Sequence, residues 1–187
     1  MSNFKFMRLK EKYKKQIVKT LSEKFGYDNQ LLVPHLTKVV LNVGFGHHVK
    51  EKEFIASVEK GLTKISGQKA VFTEAKKSIS AFKIREGLTI GAKVTLRGAR
   101  MYDFVEKLVG ITFPRVRDFR GISEKAVDRN GNLTVGFKEF VSFPEIHVEE
   151  VDNMFGLEVC LATNAKNNAE GLELFRQLGF PFKKDSK

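Results

Sequence analysis

Apolar residues recur every four positions near the start of the chain, at Leu9, Tyr13, Ile17, Leu21 and Phe25, with Val18 beside them. That spacing predicts a helix with one buried face, stopped by Gly26 just past its last turn. Its lysines (Lys10, Lys12, Lys14, Lys15 and Lys19) spread over the remaining circumference, leaving a narrower apolar stripe than a membrane-surface helix carries. The period then shortens to two. Val39, Leu41 and Val43 alternate with Val40 and Asn42, which predicts a strand over 38–43. Phe54, Val58, Leu62 and Ile65 mark a second helix ended by Gly67. A short strand is expected over 69–73, followed by a loop holding Lys76, Lys77 and Ser78. The clearest alternation runs over 88–97, where Ile90, Ala92, Val94 and Leu96 oppose Thr89, Gly91, Lys93, Thr95 and Arg97.

Further along, Met101, Phe104, Val105 and Leu108 predict a third helix, and 114–121 reads as a basic loop. Asn130-Gly131 is a hairpin signal, with Leu133, Val135 and Phe137 alternating after it. Leu157, Val159 and Leu161 form the last strand. Asn167 with Glu170 resembles a capping box opening a final helix, which carries Leu172, Phe175 and Leu178 and closes at Gly179. This order predicts an α+β fold: a mainly antiparallel sheet with helices packed on one face and an uncovered opposite face that displays Lys93, Thr95 and Arg97. No linker or repeat interrupts the chain, so residues 1–187 read as a single domain with 183–187 as a mobile tail.

Charge adds direction to this picture. The 187 residues carry a formal net charge of +11, distributed unevenly. Lys and Arg outnumber Asp and Glu by 8 to 2 over residues 1–24 and again by 8 to 2 over residues 69–100. Residues 121–187 carry 8 basic and 11 acidic side chains. Two basic blocks on an otherwise balanced chain favour a polyanionic partner. No apolar run reaches the ~20 residues of a membrane helix. The basic residues from Lys5 onward lead into no signal-peptide apolar core. The one cysteine, Cys160, cannot pair within the chain, which suits a cytoplasmic setting.

Enzymatic readings are weak. Gly44 and Gly46 follow a strand, but Val49 stands where a dinucleotide-binding turn needs its third glycine. These glycines serve either a tight turn or a close approach to RNA phosphates. His47 and His48 are adjacent and so diverge in an extended chain, while His35, His147 and Cys160 lack ligand spacing. No metal, no cofactor and no catalytic residue is expected. The basic loop fares better: Lys76, Lys77, Lys83 and Arg85 would neutralise phosphates, and Phe82 is read as core in preference to a base-stacking role. Asn42, Gln68 and Thr95 suit riboses and base edges, or equally the satisfaction of strand ends. The alternatives to a structural RNA-binding subunit are an RNA-processing enzyme using His47 or His48, and a general nucleic-acid chaperone.

Several segments together carry a resemblance. Gly67-Gln68-Lys69, then Ala75-Lys76-Lys77-Ser78-Ile79-Ser80-Ala81-Phe82-Lys83-Ile84-Arg85, resemble the ribosomal protein L5 family, whose members bind 5S rRNA in the large subunit. So do Ile90-Gly91-Ala92-Lys93-Val94-Thr95-Leu96-Arg97-Gly98, Pro114-Arg115-Val116-Arg117-Asp118-Phe119-Arg120-Gly121 and Phe143-Pro144-Glu145-Ile146. The resemblance implies a cytoplasmic, non-enzymatic ribosomal protein in the central protuberance. It implies 5S rRNA contacts from Asn42, Gln68, Lys69, Lys93, Thr95 and Arg97, and P-site tRNA contacts from Lys76, Lys77, Ser78, Ile79 and Ser80. Further implied partners are large-subunit rRNA, neighbouring 5S-binding ribosomal proteins, and a small-subunit head protein met near Arg115 to Asn132. His47-His48 and the segment from Leu161 to Ala165 depart from the family pattern.

Overall fold

The computed structural model describes residues 8–146 and 154–183; His147 and the expected tail beyond Lys183 lie outside them. Five strands, β1 (Leu36–Gly44), β2 (Val71–Glu74), β3 (Thr89–Leu96), β4 (Leu133–Phe137) and β5 (Leu157–Thr163), form an antiparallel sheet in the order β2-β3-β1-β5-β4. The fold is α+β. The described residues group into two compact units, one made of 8–39, 97–134 and 161–183, the other of 40–96, 135–146 and 154–160.

In the first unit the opening helix is built as α1 (Leu9–Lys12), a π turn (Tyr13–Ile17) and α2 (Val18–Phe25). A four-residue apolar period exceeds the 3.6 residues of an α turn, so a regular helix would rotate its stripe away from the core. The wider π turn takes up that drift. Leu9, Tyr13, Ile17 and Leu21 therefore all stay buried. Gly26 ends the helix with φ +68°, the left-handed conformation expected of that position. The Tyr13 hydroxyl donates to the Pro34 carbonyl at 3.0 Å, and burial, reinforced by Tyr102, pushes its pKa up.

The third expected helix runs further than its apolar pattern suggested. It begins as α4 (Gly98–Lys107), widens into a second π turn (Leu108–Thr112) and ends as α5 (Phe113–Arg115). Pro114 and Arg115 thus belong to a helix end and not to the basic loop, which shortens to 116–121. Phe113 anchors the loop by stacking on Phe119, with ring centroids 5.2 Å apart. The Asn130-Gly131 turn closes as expected, with the Asp128 carboxylate accepting from the N–H groups of Asn130 and Asn132 at 2.9 and 2.8 Å. Across it Val127 pairs with Leu133, and the Asp128 N–H donates to the Asn132 carbonyl at 2.8 Å.

The final helix, α6 (Asn168–Leu178), starts at Asn167, whose side chain accepts from the Glu170 N–H at 2.9 Å. The Glu170 carboxylate reaches back one residue further than a capping box requires, to the Lys166 N–H at 2.9 Å. Leu174, Phe175 and Leu178 are buried, whereas Leu172, expected in the stripe, is only half-buried. The buried band has rotated toward Glu173, which finds a partner in Lys24. At the C-terminal end the Lys183 N–H donates to the Ile122 carbonyl at 2.9 Å.

In the second unit α3 (Lys52–Ser66) packs on β3. Phe54, Val58, Leu62 and Ile65 are buried from the helix, and Leu41, Val43, Ala92, Val94 and Leu96 from the strands. Gly67 closes α3 with φ +66°. Phe140 and Phe155 stack with centroids 3.8 Å apart, close above Gly61.

Candidate nucleic-acid interface

Alternation in β3 sends Ala92, Val94 and Leu96 inward and leaves Lys93 exposed and Thr95 half-exposed on the other face. The β2–β3 register pairs Val71 with Lys93 and Thr73 with Gly91, which places all four on that open face. Gly91 keeps the surface flat: a Cβ there would lie 2.8 Å from Thr73 Oγ1 and 2.9 Å from the Val43 carbonyl. Lys69 is exposed just before β2, and Gln68 Nε2 donates to the Thr95 carbonyl at 3.4 Å. Asn42, on β1 beside β3, donates its amide to Glu158 at 3.4 Å. Gln68 thus satisfies a strand carbonyl, one of the two roles open to it, whereas Asn42, on a central strand, bonds a neighbouring side chain. Arg97 is exposed where β3 ends and α4 begins. Glu158 was not singled out from the sequence, although its place between buried Leu157 and Val159 already turns it outward.

The loop between β2 and β3 is a closed projection. Its neck is tied by Ala75 N–H to the Leu88 carbonyl at 2.9 Å and Gly87 N–H to the Ala75 carbonyl at 3.0 Å. Further out, Ile79 and Ile84 exchange backbone bonds of 2.9 and 3.1 Å. A single 3₁₀ turn (Ser80–Phe82) forms the tip, and Lys83 follows it in the left-handed region at φ +54°. Lys76, Lys77, Ser78, Ser80, Lys83 and Arg85 are exposed. The Ser78 hydroxyl accepts from the Glu86 N–H at 2.9 Å, so part of its capacity serves the loop itself.

Phe82 overturns an expectation. It was read as core, yet it is 63% exposed. The Ile79–Ile84 backbone pair closes the loop on the near side of the turn that carries it. Ile79 is itself 45% exposed. Local sequence could not reveal this, because an aromatic between basic residues has the same pattern whether it turns inward or outward.

Comparison with known proteins fits this arrangement. Residues 29–85 match the family described as ribosomal protein L5, and residues 89–182 match the model of that ribosomal family's C-terminus. A large ribosomal subunit protein uL5 from Desulforapulum autotrophicum is 53% identical over 94% of this chain and 98% of its own length. Those from Halothermothrix orenii and Brevibacillus brevis are each 49% identical, covering 93% and 95% of this chain and 97% and 98% of theirs. The chain belongs to the ribosomal protein L5 family. This is a family of structural, non-enzymatic proteins.

The two adjacent histidines have separate surroundings. His48 Nδ1 lies 3.1 Å from the Glu51 carboxylate, and its ring stacks on Phe54 at 4.5 Å. It therefore anchors the start of α3. His47 is exposed beside it. Among the described residues no three His, Cys, Asp or Glu side chains are grouped as a metal site would need. In the segment from Arg115 to Asn132, Arg117, Arg120 and Arg129 are exposed, and Asp118 adopts φ +51°.

Proposed function

We propose that the open sheet face of this L5-family protein binds 5S rRNA, and that the β2–β3 loop meets P-site tRNA. The chain is a structural constituent of the large ribosomal subunit and works in the cytoplasmic ribosome. Its two units act together as the single domain read from the sequence. On the face, Lys69, Lys93 and Arg97 neutralise phosphates, while Asn42, Gln68 and Thr95 accept or donate to riboses and base edges. On the loop, Lys76 and Lys77 carry the charge, and Ser78, Ile79 and Ser80 shape the contact. The exposed arginines between Arg115 and Asn132 meet a small-subunit head protein, and neighbouring 5S-binding proteins and large-subunit rRNA complete the surroundings.

The observation that carries this reading is the loop's closure upon its own backbone bonds, which makes it a projection with an order of its own at the end of β2 and β3. A projection and a strand face support two RNA contacts. The test replaces Lys76 and Lys77 with alanine, and separately Lys93. The loop variant should weaken tRNA binding to reconstituted large subunits and leave 5S rRNA affinity nearly unchanged; the Lys93 variant should do the reverse. Equal loss of both RNAs in both variants would reduce the two contacts to one.

A further inference from the structure

Phe82 is the feature of the loop that charge does not explain. An aromatic ring 63% exposed on a soluble surface leaves apolar area in water that folding ordinarily removes. It sits on a projection bearing Lys76, Lys77, Lys83 and Arg85 against the single carboxylate of Glu86. We propose that Phe82 is a stacking platform for one exposed nucleobase of the RNA that the loop meets. The inference rests on the RNA-contact reading of the loop and names a residue and an interaction that this reading does not contain.

Three observations converge on a base in preference to an apolar pocket of a protein. The first is charge. Burying four cations around the ring in a protein groove would strip their water without supplying counter-charges. An RNA supplies a flat π face and phosphates together, which matches an aromatic ring flanked by cations. The second is rigidity. The ring is held on a turn closed by the Lys83 N–H to the Ser80 carbonyl at 3.0 Å, and the Ile79–Ile84 bonds brace that turn from below. A backbone braced in this way loses little conformational freedom when its ring stacks. The third is the left-handed φ of Lys83. A lysine in that region carries backbone strain, tolerated where the surrounding bonds hold it and where the geometry it creates is used. Here that geometry turns the chain back directly after the ring.

Stacking differs from phosphate attraction in what it demands. It needs a π surface, it tolerates any base, and it releases no counterions. Phe82→Tyr should therefore bind RNA as the native protein does. Phe82→Leu keeps apolar bulk but removes the ring, and should weaken binding by roughly 5- to 150-fold, the loss of one base stack. The slope of log K against log salt should stay unchanged in Phe82→Leu, whereas it should fall in the Lys76→Ala, Lys77→Ala double variant.

The experiment uses large subunits reconstituted with each full-length variant and titrated with deacylated tRNA over a range of salt. 5S rRNA affinity and protein incorporation are measured in parallel. The expected result is loss with leucine, retention with tyrosine and an unaltered salt slope. Native tRNA affinity in Phe82→Leu, with the double lysine variant still impaired, overturns the stacking role and leaves the loop's RNA contact standing. Native affinity in both removes the loop reading and the platform with it. Loss of 5S rRNA affinity or of incorporation with tRNA binding intact overturns the proposal by assigning the ring to another RNA or to a protein neighbour. The ring is exposed, so all variants should melt like the native chain.

Discussion

Gly171, in the first turn of α6, rests directly on the backbone of Gly131 in the turn before β4. A Cβ built on Gly171 would lie 2.8 Å from the Gly131 carbonyl carbon, and one on Gly131 would lie 2.7 Å from Ala165 Cβ. Two glycines far apart in the chain thus let a helix and a turn touch backbone to backbone. Gly171→Ala should destabilise the protein by about 3 kcal/mol, because backbone cannot move aside as a flexible side chain can. Gly110→Ala is the control: it lies in a helical turn with nothing within 4 Å and a negative φ, and should be neutral or stabilising by up to ~1 kcal/mol. Urea unfolding of the two variants checks the contrast, and comparable losses would dispose of it.

A second expectation concerns the strand face. Gly91→Ala should cost about 1–3 kcal/mol through its approach to Thr73 and the Val43 carbonyl. Adding Thr73→Ala should restore only part of that loss, since the Val43 oxygen at 2.9 Å is backbone. Full recovery of the melting temperature in the double variant would point to Thr73 alone.

Acid stability provides a third. Glu173 accepts from Gln177 Nε2 at 2.9 Å and from Lys24 Nζ at 2.8 Å, and these two bonds, in that order, hold its pKa below the usual glutamate value of 4.5. A carboxylate whose pKa falls on folding contributes stability that is complete above its unfolded value and is lost as pH drops through the folded one. Lys24→Met should lower stability by about 0.5–1 kcal/mol at neutral pH, the lysine being half-exposed. The native advantage should shrink below ~pH 4.5. Denaturation midpoints for the two proteins from neutral to acid pH test this; a constant gap would exclude the pair as its source.

The fourth separates charge from hydrogen bonding on the open face. Lys93→Ala should reduce the salt dependence of 5S rRNA binding by about 0.7–0.9 in the log–log slope for each phosphate the lysine no longer neutralises. Thr95→Val should lower affinity at every salt concentration without changing that slope. A salt slope that Lys93→Ala leaves untouched would place the phosphate contacts elsewhere.

Much of the fold was legible along the chain. The strands β1, β3 and β5 follow their alternation, and Gly26, Gly67 and Gly179 end their helices with positive φ, as expected of glycines after helical turns. The capping of α6 by Asn167 was likewise written locally, because an N-cap and its partner lie three residues apart. Lys93 and Thr95 could be placed on the open face for the same reason, with a period of two fixing one side once the other is buried. The quoted motifs, taken together, already pointed to the L5 family.

Tertiary structure decided what no local period contains. The π turn at Tyr13–Ile17 arises because a four-residue stripe must stay against one core. Leu174 takes the buried place expected for Leu172, and the neighbouring Glu173 meets Lys24, 149 residues away. Pro114 and Arg115 join a helix that runs on past Leu108 through the buried Phe113. Phe82 is exposed on the turn beyond the Ile79–Ile84 pair. Sequence fixes which residues are neighbours along a helix or strand through short, regular geometry. Which surfaces meet depends on topology and on packing between distant segments, and so Gly131 and Gly171 reveal their contact only in the folded chain.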